Sequence, residues 1–174
     1  MDLLQTMLHR RSVRQFTDEP VAEELIEKVL KAGLSAESGK AIYPWELIAV
    51  RDKATLNAMA DCRAVHVKAM ESCDTAIVVV ADSEKQDVWE EDCSIVMAHM
   101  HLMADALGLG SVWIQGRLRP AADGSMAEEY LRGILGYPES YSLLAILCVG
   151  NTDSHPEAHK EEDLKMEKVH WEKF

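Results

Sequence analysis

Apolar positions along this chain alternate between helical spacing and short continuous runs, which predicts helices interleaved with strands. The run over 76–81 is continuous and rich in valine, which is typical of a strand buried on both faces. Further strands are predicted over 45–50, 111–114 and 143–149. This alternation places the fold in a mixed α/β or α+β class.

Helix boundaries are indicated by capping residues and by glycines. Helices are predicted over residues 2–9, after Thr17–Pro20, and over 53–60, 62–71, 88–107 and 126–135. We expect Asp52 to cap the helix over 53–60 at its N-terminus. We expect Gly33 and Gly136 to terminate the helices that precede them.

The longest predicted helix, 88–107, is apolar nearly all round in its middle, over 95–104. Such a helix is buried on most sides, and in so small a domain we expect a second subunit to supply part of that burial. The polar segment after Gly150 ends with three apolar residues, Val169, Trp171 and Phe174. These side chains need a receiving surface, either on this subunit or on a partner.

The composition is that of an ordinary globular domain. The chain has 174 residues, of which 48% are hydrophobic, so we expect a single domain over 1–174. Its 18 Lys and Arg against 30 Asp and Glu give a net charge of −12, which excludes a generic nucleic-acid binder. No apolar run suits a bilayer span and the N-terminus lacks a secretory pattern, so a cytoplasmic protein is expected. Four scattered cysteines are expected as reduced thiols in or near the core: Cys62, Cys73, Cys93 and Cys148.

Three arginines fall within five residues of this acidic chain, in the segment His9-Arg10-Arg11-Ser12-Val13-Arg14. Guanidinium groups bind phosphate through paired N–H donors, and Ser12 adds a hydroxyl. One interpretation is therefore an anion site for a phosphorylated ligand. The other is a solvated basic face that pairs with nearby carboxylates, those of Asp2, Asp18 or Glu19.

Two segments containing glycine allow close approach of the backbone to a ligand. Residues 108–117 contain Gly108, Gly110 and Gly116, but they lack the strand–glycine–helix order of a dinucleotide-binding motif. An ordinary helix end followed by a strand is the alternative for this segment. The loop over 38–45 contains Gly39-Lys40, which can bind an oxyanion, but it lacks the spacing of a phosphate-binding loop.

Metal and hydrolase chemistry have little support in the sequence. His155 and His159 are four residues apart, but such pairs occur by chance in acidic tails, and no metal site is expected. His99 and His101 point to different faces of a helix and are interpreted as core or interface residues. No G-x-S-x-G elbow of a hydrolase occurs.

The basic segment is part of a longer pattern, Arg10-Arg11-Ser12-Val13-Arg14-Gln15-Phe16. It is similar to the N-terminal Arg-Arg-Ser-x-Arg-x-Phe signature of the FMN-dependent nitroreductase family. Residues 106–114, 135–139 and the strand that ends at Gly150 resemble the family in the same order, so the resemblance covers nearly the whole chain. In the loop over 36–45, three residues replace the common Pro, Asn and Gln: Glu37, Ala41 and Tyr43.

The resemblance implies an α+β fold with a central, mostly antiparallel sheet flanked by helices, in an intertwined homodimer. It implies FMN at the subunit interface and a segment, 150–174, that wraps the partner. By position in the family's pattern, the cofactor-binding residues would be Arg10, Arg11, Ser12, Arg14, Ser38, Gly39, Lys40, Tyr43, Ile114, Gln115, Gly116 and Lys160. Lys165 competes with Lys160 for its place.

The resemblance also implies separate roles within this set. Residues 10–12 would hold the phosphate and ribityl end of FMN, and Arg14 would face the pyrimidine edge, where reduction builds negative charge. The loop over 38–43 would approach the flavin from the other subunit. Residues 114–116 would lie along the ring and offer a backbone N–H near N5.

The activity implied is a two-step hydride transfer from NAD(P)H through flavin N5 to an acceptor such as a nitroaromatic or a quinone. The cofactor carries the chemistry, so no acid–base pair is required of the protein. A flavin reductase, a dehalogenase or another flavin enzyme of the same fold is an alternative. Two further alternatives are an FMN-binding protein that stores or senses flavin, and a small dimeric interaction domain whose arginines are surface charge.

Overall fold

The computed structural model describes residues 2–174, in which six α-helices surround one four-stranded sheet. The helices are α1 (Leu3–His9), α2 (Glu23–Leu34), α3 (Lys53–Met59), α4 (Lys68–Ser72), α5 (Trp89–Ala106) and α6 (Ala127–Leu135). The strands are β1 (Trp45–Val50), β2 (Thr75–Asp82), β3 (Gly110–Gln115) and β4 (Tyr141–Gly150). Short 3₁₀ turns lie at Gly39–Ala41, Glu161–Asp163 and Met166–Lys168.

The sheet has the strand order β1-β2-β4-β3, and each neighbouring pair is antiparallel. The α+β class and the antiparallel sheet expected from the sequence are therefore confirmed. Along β2, Ile77, Val79 and Ala81 belong to one core layer and the residues between them to the other. This is the period-two alternation of a strand that is buried on both faces.

Helices α2 and α5 cover one face of the sheet, and α3, α4 and α6 cover the other. The prediction that Gly33 terminates α2 is wrong. Gly33 lies inside that helix, and a Cβ built on it would meet Met100 Cγ of α5 at 2.7 Å. Glycine is needed here because α2 and α5 approach each other closely. Helix α2 ends after Leu34, and its C-cap residue is Ser35 rather than Gly33.

Three other helix ends can be compared with the sequence. Asp52 caps α3, with its side chain accepting from the Thr55 N–H, and Gly136 ends α6 with a φ of 73°, as predicted. Helix α2 begins after Ala22, with no side-chain cap from the predicted Thr17–Pro20 signal. The helix predicted over 62–71 is reduced to α4, because residues 60–67 form a loop closed by a 2.8 Å hydrogen bond from Val67 N to Ala60 O.

All four cysteines are buried free thiols, as expected. Burial raises the pKa of the Cys62 thiol to about 11 and that of Cys93 to about 12. A hydrogen bond with Cys73 and burial raise the pKa of Cys148 well above its ordinary value. These sulfur atoms are therefore core atoms that remain protonated, rather than nucleophiles.

The C-terminal segment runs over the outside of the molecule. Its apolar end is uncovered: Trp171 is 83% exposed, and Phe174 is fully exposed. Part of α1 is also open to solvent, including Leu3, Leu4 and Met7. Among residues 2–174, the helices lack the combination of length and apolar character that crossing a membrane requires.

Candidate functional site

The basic segment lies directly beside strand β3. Ser12 forms a parallel bridge with Ser111, and the Val13 N–H donates to the Ser111 carbonyl over 2.9 Å. The approach is close, since a Cβ built on Gly110 would lie 2.8 Å from Val13 Cγ1. Gly110 therefore allows the segment after α1 to dock on the sheet edge, which fixes where the arginine side chains begin.

The beginning and the end of this segment line two different cavities. Arg10 and Ser12 line one of about 390 Å³, together with His101 of α5 and Trp113 of β3. His101 is buried, and burial together with the nearby Arg10 charge lowers its pKa to about 4. The imidazole is thus neutral near pH 7, and the positive charge in this cavity belongs to Arg10.

Arg14 lines the other cavity, of about 530 Å³, together with Ile114. The rest of its polar lining consists of Gln15 and three residues from the loop before α4 and its first turn: Arg63, His66 and Lys68. Hydrogen bonds to Asp61 and Glu71 raise the pKa of His66, which favours the imidazolium form. The lining therefore presents hydrogen-bond donors and positive charge, and none of its residues is a carboxylate.

The end of β3 is held by polar contacts on both sides. The Arg63 guanidinium donates to the Gln115 carbonyl over 2.8 Å, and its buried Nε has no protein partner. The Trp113 indole N–H donates to Gln115 Oε1 over 2.9 Å. At Gly116 a Cβ would meet Leu143 Cδ2 at 2.5 Å, so a side chain there would collide with β4. These hydrogen bonds and this close packing fix the peptides from 114 to 116 at the end of β3.

The C-terminal segment returns to the basic segment at residues 155–160. The His159 N–H donates to the Leu8 carbonyl at the end of α1 over 2.9 Å, and the Arg11 guanidinium donates to the Glu157 carbonyl. Lys160 follows His159 directly and is exposed. This docking brings residues 157–159, which directly precede Lys160, to the end of α1 and to Arg11.

The loop over 38–43 is held elsewhere, at the first turn of α5. The Asp92 carboxylate accepts hydrogen bonds from the Ser38 hydroxyl at 2.7 Å and from the Gly39 N–H at 3.0 Å. Buried Gln86 adds a 2.6 Å bond from its amide to the Gly39 carbonyl. Left-handed φ angles occur at three non-glycine residues of the loop, Lys40, Ala41 and Tyr43. These three hydrogen bonds hold the loop in a backbone conformation that is otherwise unfavourable for residues other than glycine.

The structure brings together most, but not all, of the residues singled out in the sequence. Arg10, Ser12 and Arg14 line two cavities beside β3, and Ile114 lines the second of them. The loop over 38–43 is held at Asp92, nine residues before His101 of the Arg10 cavity, about 13 Å of helix. Gly116, at the end of β3, instead shares a cavity with Trp89 and Glu90 at the start of α5. Sequence reasoning missed Arg63, His66 and Lys68, whose only local signal is three basic residues within six positions.

The arrangement suits a ligand that carries an anionic group at one end and an electron-rich polar edge at the other. The guanidinium groups of Arg10 and Arg11, the Ser12 hydroxyl and the Lys160 ammonium can hold a phosphate. Arg14, Arg63 and Lys68 can face an electron-rich ring edge. Ile114 of β3 lies in the wall of the cavity that contains Arg14.

Comparison with known proteins agrees with this description. The family model described as the nitroreductase family matches residues 7–64 and 59–151. A protein of Archaeoglobus fulgidus, provisionally named NADH dehydrogenase/NAD(P)H nitroreductase, is 31% identical over 99% of both chains.

Solved structures give the same result. An FMN-dependent nitroreductase from Clostridium difficile R20291 superposes with a TM-score of 0.94 at 40% identity, over 98% of this chain and 99% of the other. An NADPH:FMN oxidoreductase from Vibrio harveyi in complex with NAD+ superposes with a TM-score of 0.83 at 25% identity, over 100% of this chain and 78% of the other.

Proposed function

This chain belongs to the nitroreductase family, and from that premise we propose that it is an FMN-dependent oxidoreductase. Its reaction is the transfer of a hydride from NAD(P)H to an oxidised small-molecule acceptor such as a nitroaromatic or a quinone. The observation that carries the proposal is the convergence of the basic residues at 10–14 and 63–68 on the edge of β3.

The donor chemistry of the site fits FMN. The cofactor presents a phosphate at one end, and at the other a ring whose N1–C2 carbonyl edge accepts hydrogen bonds. The cavity that contains Arg14 has several N–H donors and no carboxylate, and the buried Arg63 Nε lacks a protein acceptor. A buried donor without a partner is uncommon, and a ligand acceptor in this cavity would satisfy it.

The phosphate end belongs to the basic segment. Arg10, Arg11 and Ser12 would hold the phosphate and the ribityl chain, and Lys160 would complete the site from the C-terminal segment. A phosphate binds well where several charge-assisted donors converge. The −12 net charge of the chain makes such a local patch necessary, because the rest of the surface repels anions.

The ring end belongs to Arg14, Ile114, Gln115 and Gly116. When bound, FMN supplies the hydride-carrying chemistry. The fixed Arg14 cation stabilises negative charge at the pyrimidine edge. The Arg63 guanidinium holds the Gln115 carbonyl and so fixes the peptide plane that also contains the Gly116 N–H, which donates to the Leu144 carbonyl over 3.3 Å. The protein thereby positions and polarises the ring without an acid–base residue of its own.

We further propose that the active unit is a homodimer with FMN at the interface. The open apolar faces of α1 and α5 and the exposed Trp171 and Phe174 support it. The loop over 38–43 is anchored at Asp92, nine residues along α5 from His101, which lines the cavity of Arg10. Ser38, Gly39, Lys40 and Tyr43 would therefore contact the cofactor bound mainly by the partner.

The visible spectrum of the purified protein, before and after anaerobic addition of NADH or NADPH, tests the proposal. We expect flavin bands that bleach on addition and return when a nitroaromatic or a quinone is supplied. Bands that return only with free flavin indicate a flavin reductase. Bands that never bleach indicate a storage or sensing protein. A protein that stays colourless after incubation with FMN contradicts the proposal.

A further inference from the structure

Three side chains from separate parts of the chain meet beside the basic segment. Asp105, near the end of α5, has a carboxylate that is only 4% exposed. His9, at the end of α1, places Nδ1 at 2.9 and 3.1 Å from its two oxygens. His155, from the C-terminal segment, places Nε2 at 3.3 Å from Oδ1. The two imidazole rings stack with centroids 4.3 Å apart.

Both ring nitrogens of His155 have a hydrogen-bond partner. Nδ1 lies 2.7 Å from the Pro156 carbonyl, and Nε2 lies 3.3 Å from the Asp105 carboxylate. Asp105 therefore has an imidazole on each side, and a buried carboxylate is strongly unfavourable without such hydrogen-bonding partners.

These residue types are also those of a metal site, but the ring arrangement argues for a hydrogen-bonded clamp. A metal ion lies close to the plane of each imidazole that binds it. The planes of His9 and His155 are inclined by only 18° and the rings are stacked. Two nearly parallel planes at this separation do not meet at one ion near Asp105.

The clamp coincides with the other contacts that dock the C-terminal segment. Two residues after His155, the Glu157 carbonyl accepts a hydrogen bond from the Arg11 guanidinium. Two residues further on, the His159 N–H donates to the Leu8 carbonyl. We propose that His9, Asp105 and His155 form a positioning clamp that holds residues 155–160 against α1, so that Arg11 and Lys160 face the phosphate of the cofactor together. This inference rests on the proposed function, since it assigns the clamp to one end of the same site.

The test compares FMN with riboflavin, which lacks the phosphate, as ligands of the apoprotein. In Asp105→Asn and His155→Ala, we expect the Kd for FMN to rise roughly ten-fold, the scale of one hydrogen bond to a charged group. The Kd for riboflavin should change less than about two-fold. His170→Ala is the control, because that imidazole belongs to the same segment but stacks on Phe174, away from the clamp.

A further measurement tests the docking of the segment directly. Amide hydrogen exchange of 152–160, without any cofactor, should be faster in Asp105→Asn and His155→Ala but not in the control.

Unchanged FMN affinity in both variants overturns the proposal. Equal losses of FMN and riboflavin affinity overturn it as well, since they show a general effect on the fold. Failure of the wild-type protein to bind FMN overturns the proposed function, and the phosphate role of the clamp with it. In that case the exchange of 152–160 still decides whether the clamp docks the segment.

Discussion

The Ser38 hydroxyl donates a 2.7 Å hydrogen bond to the carboxylate of Asp92, which is 54 positions away in the sequence. The same hydroxyl accepts from the Tyr43 N–H over 2.9 Å. One serine thus connects both ends of the loop over 38–43 to α5. A loop with left-handed residues holds its shape only through such anchors, and in the proposed dimer that shape decides what the partner's cofactor meets.

Replacing Asp92 should release this loop. Asp92→Ala leaves the Ser38 hydroxyl and the Gly39 N–H without their acceptor, so we expect the free energy of unfolding to fall by about 1–3 kcal/mol. Urea denaturation measures it. Asp87→Ala is the matched control, because Asp87 is exposed and lies 3.8 Å from Lys40, and its loss should change stability by less than about 0.5 kcal/mol. Equal effects of the two substitutions would contradict the anchoring role.

Arg14→Ala should lower the reduction potential of bound FMN, because a fixed cation near the pyrimidine edge favours the reduced, negatively charged ring. A loss of about 1.4 kcal/mol corresponds to about 30 mV in a two-electron couple. An anaerobic titration against a reference dye measures this. Arg14→Lys should restore part of the potential, and Arg119→Ala, an exposed arginine beyond β3, should not change it. A potential unaffected by Arg14→Ala removes this residue from the site.

Gly116 and Gly133 make a contrasting pair for alanine substitution. A Cβ at Gly116 meets Leu143 Cδ2 at 2.5 Å, whereas a Cβ at Gly133, inside α6, meets no atom within 4 Å. Gly116→Ala should destabilise the fold by about 1–3 kcal/mol, and Gly133→Ala should stabilise it by about 0.5–1 kcal/mol. Thermal or urea unfolding distinguishes the signs. An unchanged free energy of unfolding in Gly116→Ala would show that Leu143 and β4 move to accommodate the added methyl group.

His66 should make a pH-dependent contribution to stability. Its hydrogen bonds to Asp61 and Glu71 raise its pKa in the folded state above 6.5. The contribution is therefore fully present below that value and is lost as pH rises through the raised pKa. The difference in unfolding midpoint between wild type and His66→Gln should shrink over this window. A difference that grows with pH would show that the imidazole is bound neutral.

Truncation after Asn151 should weaken the proposed dimer and release FMN, because it removes both the apolar end of the chain and Lys160. Sedimentation at several concentrations measures association, and the visible spectrum measures retained flavin. The double variant Trp171→Ser/Phe174→Ser separates the two effects, since it should weaken association while Lys160 stays in place. A truncated protein that remains dimeric and yellow would rule out a role of the segment in either.

The central strands and the long helix could be predicted from the sequence because burial on two sides leaves a continuous apolar signal. Strand β2, for example, extends the predicted 76–81 by one residue at each end. Gly33 was misjudged because a glycine near the end of a helical pattern indicates either a cap or a close helix contact. Only the position of Met100, 67 residues further on, distinguishes these two cases.

The sequence indicated cavity-lining residues where one segment contains several of them, as with Arg10, Ser12 and Arg14. The loop before α4 was missed because its place depends on the Arg63–Gln115 hydrogen bond, which joins residues 52 positions apart. The anchoring of Ser38 by Asp92 has the same character. Local patterns cannot encode such pairs, since neither partner is unusual in its own neighbourhood.

The buried thiols affect how the protein ages chemically. A flavoprotein that works in air produces peroxide near itself, and peroxide attacks thiolates rather than thiols. With pKa values of about 11 and 12 imposed mainly by burial, Cys62 and Cys93 hold almost no thiolate at neutral pH. Oxidation of these sulfurs would therefore require the sheet and its helices to separate first. Cysteine oxidation in an ageing sample would thus record unfolding events rather than turnover.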